Sequence, residues 1–295
     1  MTDATRDCAL DLDEYEAEHP SNPAQRTQIF NVYNVAMQKY GVEEGACLEI
    51  GSGTGNLTSG LVDHSKFDEI HCSDISLRFL TRLRQMTNAN DRLRYWTFDA
   101  GSLPFKSGSM HAVFGHSVLH HLLEYEAALR DIFRVLRPCG LAMFGEPIMD
   151  SHAITSFCAA LIWEMEKRHP TGNWAERDLN ILKSIGVMCA NTGRRMRENR
   201  NELTKMEDKH IYVISDMMKL MKNIGFRKFD YQNAVTLKQI GHDHKWRLLT
   251  ILKRYGVAES KLKPYDFIFN QLSDSYGVAM GSAAAYNFGY FIVQK

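Results

Sequence analysis

Residues 48-LEIGSGTGNLTSG-60 run from an apolar stretch through three glycines in five positions into the rhythm of a helix. A strand that feeds a helix through Gly51, Gly53 and Gly55 leaves bare backbone at the turn. There the chain can bend tightly and a ligand can come close to exposed N–H groups. Upstream, 24–40 places Ile29, Val32, Tyr33, Ala36 and Tyr40 on one helical face and stops at Gly41. Downstream, strands and helices alternate. The strands are 46-ACLEI-50, 69-EIHCSD-74, 93-LRYWTFD-99, 110-MHAVFGH-116 and 141-LAMFGE-146. Helices follow the glycine turn, Ser76 as N-cap, and about 120–136, the last closing at 137-RPCG-140. Such alternation builds βαβ units and a parallel sheet with right-handed crossovers.

After Glu146 the rhythm stops. Residues 150–210 read as helical, a helix at 215–224 and a strand at about 226–236 follow, 237–287 are irregular, and 288-FGYFIVQK-295 is a last strand. The expectation is an α/β, doubly wound, mostly parallel seven-stranded sheet with a helical cap from insertions. Its parts are a cap segment at 1–45 with a frayed start, a core at 46–148, a lid insertion at 149–212, core again at 213–236, a second cap insertion at 237–287 and the final core strand at 288–295.

Composition excludes some classes. Thirty-five Lys plus Arg balance thirty-five Asp plus Glu, so broad nucleic-acid binding lacks the positive surplus it needs. No run is apolar enough to span a bilayer, and the acidic N-terminus lacks the layout of a secretory signal. The six cysteines form neither a metal knuckle nor a C-x-x-C pair. A reducing cytoplasm is the expected compartment. The oligomeric state is not readable from the sequence.

The ends of the first three strands share a chemistry. Asp74 closes the second strand 19 residues after Gly55, where a carboxylate can accept hydrogen bonds from ribose hydroxyls. Asp99 closes the third; it can accept from a purine amine while the Ala100 N–H meets a ring nitrogen. A dinucleotide loop wants a glycine at position 56, which here is Asn56, and Glu49 stands two residues before Gly51. A carboxylate there repels a pyrophosphate and attracts an ammonium. The ligand therefore reads as an adenosine with a cationic amino-acid tail.

In order and spacing, 48-LEIGSGTGNLT-58, 72-CSDIS-76, 97-TFDAGSLPF-105, 113-VFGHSVLHHL-122 and 134-RVLRPCGLAMFGEP-147 resemble the class I S-adenosylmethionine-dependent methyltransferases. The resemblance implies a Rossmann-like fold with S-adenosyl-L-methionine as cofactor. By it, Glu49 orients the methionine end, Gly51, Gly53 and Gly55 lie beneath, and Asp74 takes the ribose. Ile75 lies on the adenine face, Asp99 and Ala100 meet the adenine edge, and His116 touches the methionine portion or the substrate. It also implies a last strand, 288–295, antiparallel beside 226–236.

The acceptor is expected over the carboxyl ends of the fourth and fifth strands, where Glu146, His116 and His120 are the catalytic candidates and His121 points away from His120. Glu146 reads equally as a cap or a paired buried carboxylate. His242 and His244, in 241-GHDHKW-246, lack a third ligand at a telling distance, so a solvated loop is expected and no metal site. The basic run 194-RRMRENR-200 reads as a solvated helix face. The expected activity is in-line methyl transfer to a small molecule under a helical lid. Transfer to tRNA or protein, and an inactive cofactor-binding subunit, remain open.

Overall fold

The computed structural model describes residues 12, 22–87, 90–198, 200–206, 208–234, 240–281 and 284–295, without the side chains of 193–200. Most of the expected frayed start and the side chains of the 194–200 basic run lie outside the described residues.

Along the chain run α1 (Pro23–Tyr40), β1 (Glu44–Ile50), α2 (Asn56–His64), β2 (Lys66–Asp74), α3 (Leu77–Met86), β3 (Leu93–Thr97) and β4 (Met110–His116). A 3-10 turn, Leu119–His121, precedes α4 (Tyr125–Val135), β5 (Leu136–Pro147), α5 (Met149–Arg168), α6 (Glu176–Glu198) and α7 (Arg200–Leu203). The rest is α8 (Ile214–Ile224), β6 (Lys228–Asn233), α9 (Ile240–Arg254), a 3-10 segment Glu259–Tyr265, α10 (Asp266–Gln271), a π turn Leu272–Gly277, α11 (Val278–Met280) and β7 (Phe288–Gln294). The chain forms two compact units.

The sheet unit is Met1–Glu146 with Ser215–Gln232 and Tyr290–Lys295. Its seven strands lie in the order β3-β2-β1-β4-β5-β7-β6. The pairs β1–β2, β1–β4, β2–β3 and β4–β5 are parallel. Cys139 N–H donates to Lys295 O and Lys295 N–H to Gly140 O, so β7 ends beside the start of β5 and runs against it. Arg227 N–H donates to Gln294 O, which sets β7 against β6 as well. Within β1 and β4, Cys47, Leu48, Ile50, Ala112, Val113 and Phe114 are all fully buried. Near-continuous burial is what a parallel sheet covered on both faces requires. The helices that cover it present stripes at 3–4 residue spacing: Phe79, Leu80 and Leu83 on α3; Ala128, Leu129, Ile132 and Val135 on α4.

Helix α1, expected in the cap, belongs to the sheet unit. Asn22 caps it by accepting from Gln25 N–H, and Gly41 ends it with φ 65°. Its buried face carries Phe30 against His64 of α2, ring centroids 5.4 Å apart. One turn on, the Tyr33 hydroxyl donates to Gly115 O in β4 at 2.7 Å.

Among the boundaries that differ from the sequence reading, three lie close to the candidate site or to β5. Strand β3 ends at Thr97, so Asp99 sits in the turn beyond it. Strand β5 starts at Leu136, because 137–140 is a bulge rather than a helix end. Its register jumps between the Met110↔Leu136 and Ala112↔Leu141 pairs, with Cys139 at φ 62°. The expected helix from 120 is instead the 3-10 turn at Leu119–His121, and α4 starts at Tyr125.

The helical unit is Pro147–Ile214 with Asn233–Gly289. Cys158, Ala159 and Ile162 of α5, Leu182 and Ile185 of α6, Leu248, Leu249 and Leu252 of α9, and Ile268 and Phe269 of α10 share one core with Trp174 and Tyr265. The stretch 237–287, expected to be irregular, is largely helical from Ile240. Its histidines do not stand on a solvated loop. His244 is fully buried on α9, with Nδ1 2.9 Å from Thr155 Oγ1 and Nε2 3.0 Å from Ala285 O. Burial pushes its imidazole down to about 4. Two residues apart on a helix, exposed His242 and buried His244 face different ways. Among the described residues no helix is long and apolar enough to cross a membrane.

Candidate functional site

The glycine loop joins β1 to α2. Gly51, Gly53 and Gly55 have φ of 64°, 50° and 93°, in the left-handed region that glycine alone enters without strain. At two of them a side chain of the protein itself fills the space. A Cβ on Gly51 would stand 2.5 Å from Val118 Cγ2, and one on Gly55 2.4 Å from Leu83 Cδ1. Backbone twist and internal packing demand these glycines, before any ligand is considered.

Strand β2 holds the loop. Ser52 N–H donates to Ser73 O at 2.8 Å, and Gly53 N–H donates to Asp74 Oδ2 at 2.9 Å. The other oxygen, Asp74 Oδ1, accepts from Ser76 N–H at 2.8 Å and opens α3, whose N-cap is Ser76. Asp74 thus joins the glycine loop to the start of the next helix. Half-buried Ile75 lies between them.

Glu49 is 2% exposed and accepts from Thr58 Oγ1 at 2.5 Å. Burial raises its carboxyl to about 8; the Thr58 bond opposes the rise and the Asp74 charge adds to it. The acid is therefore mostly protonated at pH 7 in the empty protein. A cation placed beside it would reverse that.

Register puts the three crests next to one another: Ile50 opposite Ser73, and Asp74 opposite Thr97. Exposed Asp99 follows two residues later, its Oδ1 accepting from Gly101 N–H at 2.8 Å. That Asx-type turn presents half-buried Ala100.

On the other side of β1, His116 ends β4 opposite Gly145. Its Nδ1 is 3.4 Å from the Tyr33 hydroxyl, and its ring lies 6.2 Å from Tyr33 and 6.0 Å from Tyr290. Burial lowers the imidazole to about 4 against the opposing pull of Glu146. His116 is neutral at pH 7.

Glu146 is fully buried and its oxygens are engaged. Oε1 accepts from Val118 N–H at 3.2 Å and Leu119 N–H at 2.8 Å; Oε2 accepts from His120 N–H at 3.3 Å and lies 2.6 Å from His120 Nδ1. One carboxylate thereby caps the whole 3-10 turn after β4, where Ser117 has φ 57°. His121, expected to point away from His120, instead has its ring tilted against that of His120, with centroids 4.0 Å apart and an interplanar angle of 44°.

Sequence reasoning missed Val118, Thr58, Tyr33 and Tyr290. Val118 presses on both Gly51 and Gly115, the latter 2.6 Å from Val118 Cγ1 as a Cβ would sit. The signal was present in 113-VFGHSVLHHL-122: a glycine and a β-branched residue bracketing a strand tip. Gly51, which Val118 also meets, lies far back along the chain, so spacing alone could not pair them.

The methyltransferase domain model matches residues 48–144. The chain is 33% identical over 97 residues to the malonyl-[acyl-carrier protein] O-methyltransferase of Halorhodospira halophila, covering 33% of this chain and 33% of that relative's length. It is 26% identical over 200 residues to the ubiquinone/menaquinone biosynthesis C-methyltransferase UbiE of Salmonella arizonae, covering 65% of this chain and 71% of the relative. In fold it is similar to a solved complex from Haloferax volcanii between the Trm112 methyltransferase activator and a methyltransferase. The TM-score is 0.53 at 12% identity, covering 96% of this chain and 97% of that one. The matched model lies over the glycine loop and over strands β1 to β5 of a sheet in this order, so residues 48–144 are similar to a methyltransferase domain.

Proposed function

We propose that this protein transfers a methyl group from S-adenosyl-L-methionine to a small-molecule acceptor by in-line displacement. The observation that supports the reading is the row of adjacent parallel strand ends on β1, β2 and β3, at or just beyond which Glu49, Asp74 and Asp99 stand in sequence. The residues present fit the cofactor. Helix α2 has Gly55 at its N-cap with no side-chain bond to its first-turn N–H groups. The neighbouring Asn56 Oδ1 is buried with no hydrogen-bond partner. A buried acceptor of this kind asks for a donor such as an ammonium. Glu49 then takes the amino end, Asp74 and Ile75 the ribose and the adenine face, and Asp99 with Ala100 the adenine edge.

When bound, the cofactor supplies a methyl group already activated by its sulfonium. The chain then has to align the acceptor and exclude water. His116, neutral at pH 7, is the group to accept a proton from an acceptor that carries one. Glu146 and His120 act as positioning residues: they hold the turn that carries Val118 against the glycine loop. The two relatives, one named for malonyl-[acyl-carrier protein] and one for ubiquinone/menaquinone biosynthesis, support an acceptor that is not nucleic acid.

Calorimetry with S-adenosylmethionine against NAD, on wild type and Asp74→Ala, tests the reading. The expected result is binding of the first ligand alone, weakened about tenfold or more in the variant, because a charge-assisted bond and the Gly53 anchor go together. Unchanged affinity in Asp74→Ala removes the ribose assignment. Mass spectrometry of a metabolite extract incubated with labelled donor then identifies the product that gains one methyl.

A further inference from the structure

Helix α9 carries a cation, Arg247, that forms no ion pair among the described residues. Arg247 is half-buried, and its Nε is buried with no hydrogen-bond partner. Nη2 lies 3.2 Å from His152 Nδ1 on α5. The carboxylates whose charge reaches it are Asp243 and Asp208, and among the described residues neither forms an ion pair with it. Asp243 is committed elsewhere: its Oδ2 accepts from Asn287 N–H at 2.7 Å and from Asn287 Nδ2–H at 2.8 Å. Cys189 also feels the arginine's charge, and its sulfur sits 3.5 Å from Met149 Sδ. Met149 and Cys189 are half-buried.

Removing a guanidinium from water without a carboxylate partner is unfavourable. Burial lowers this one to about 10, against the opposing pull of Asp243 and Asp208. Proteins tolerate such an unpaired fork where a ligand completes it, and a guanidinium matches the two oxygens of a carboxylate or phosphate.

We propose that Arg247 is the receptor for an oxyanion, the carboxylate or phosphate of a small acid.

The test uses benzoate and phenyl phosphate as probes, with benzamide as the neutral control, titrated at fixed ionic strength into wild type, Arg247→Met and Arg247→Lys. Saturable binding of either anion, with benzamide silent and Arg247→Met weaker by about tenfold or more, supports the site. Which anion saturates first tells carboxylate from phosphate. Partial recovery in Arg247→Lys supports the role of charge. Equal binding by wild type and Arg247→Met, or no saturation by either anion, overturns it. Thermal melts without anion separate a structural role. An arginine kept for a ligand leaves the melting temperature of Arg247→Met equal or higher, whereas a clear fall shows that the guanidinium holds the fold and overturns the proposal. S-adenosylhomocysteine titrated into the same samples reports on the methyltransferase reading by itself: its failure to bind with the anion result intact sinks that reading and leaves the anion site standing.

Discussion

Neutralising Glu49 gives the sharpest test of the cofactor site. In the empty protein its carboxyl titrates at about 8, so at pH 7 roughly nine in ten molecules carry the proton. A donor whose ammonium lies against Glu49 favours the ionised form and expels that proton. Binding at pH 7 should therefore release about 0.9 proton more from wild type than from Glu49→Gln. Calorimetry in two buffers of different ionisation enthalpy reads this number directly, and the subtraction cancels any proton contributed by the ligand. Glu49→Gln should also bind the donor roughly tenfold or more weakly, since it loses a charge-assisted bond. The same proton acts on stability. The unfolded chain gives it up near 4.5, while the folded chain keeps it to about 8. Between these values the native state binds more protons, so stability falls as pH rises, by at most about 1.4 kcal/mol per pH unit, and levels off above 8. Denaturant melts of Glu49→Gln should be flatter over that window. Equal proton release from wild type and variant would refute the placement of the ammonium beside Glu49.

Gly51→Ala sets a Cβ against Val118 at φ 64°, so it should destabilise the protein by roughly 2–4 kcal/mol in urea melts. Pairing it with Val118→Ala should recover part of that; simple addition of the two losses would show the clash is not the cause. Glu146→Gln places an amide donor among the Val118, Leu119 and His120 N–H groups, at a cost of about 2–3 kcal/mol. Turnover should fall more than donor affinity, and equal losses in both would remove its positioning role.

Much of the sheet was legible because its physics is local. Apolar runs such as LEI and VFG, separated by helical stripes and punctuated by glycine and proline, mark buried parallel strands whatever they pack against. The 137–140 bulge was hidden because a register jump depends on the neighbouring strand. Helix α9 was hidden for another reason: His244 and Arg247 occupy its inward face, so Ile240, Leu248 and Leu252 did not read as a stripe. A buried histidine betrays itself only through partners such as Thr155 and Ala285, which are distant in sequence.

By itself, the sequence determined the strand–helix order, the glycine turn and the acids at successive strand ends, because backbone conformation and side-chain chemistry are properties of short stretches. Tertiary structure decided what those residues do to one another. Whether Glu49 is charged, whether Glu146 is free or caps a turn, and whether Arg247 has a counter-ion all depend on solvent exclusion and on contacts closed by distant segments. Electrostatic energy in a protein is set by that surrounding medium, which no local stretch of chain specifies.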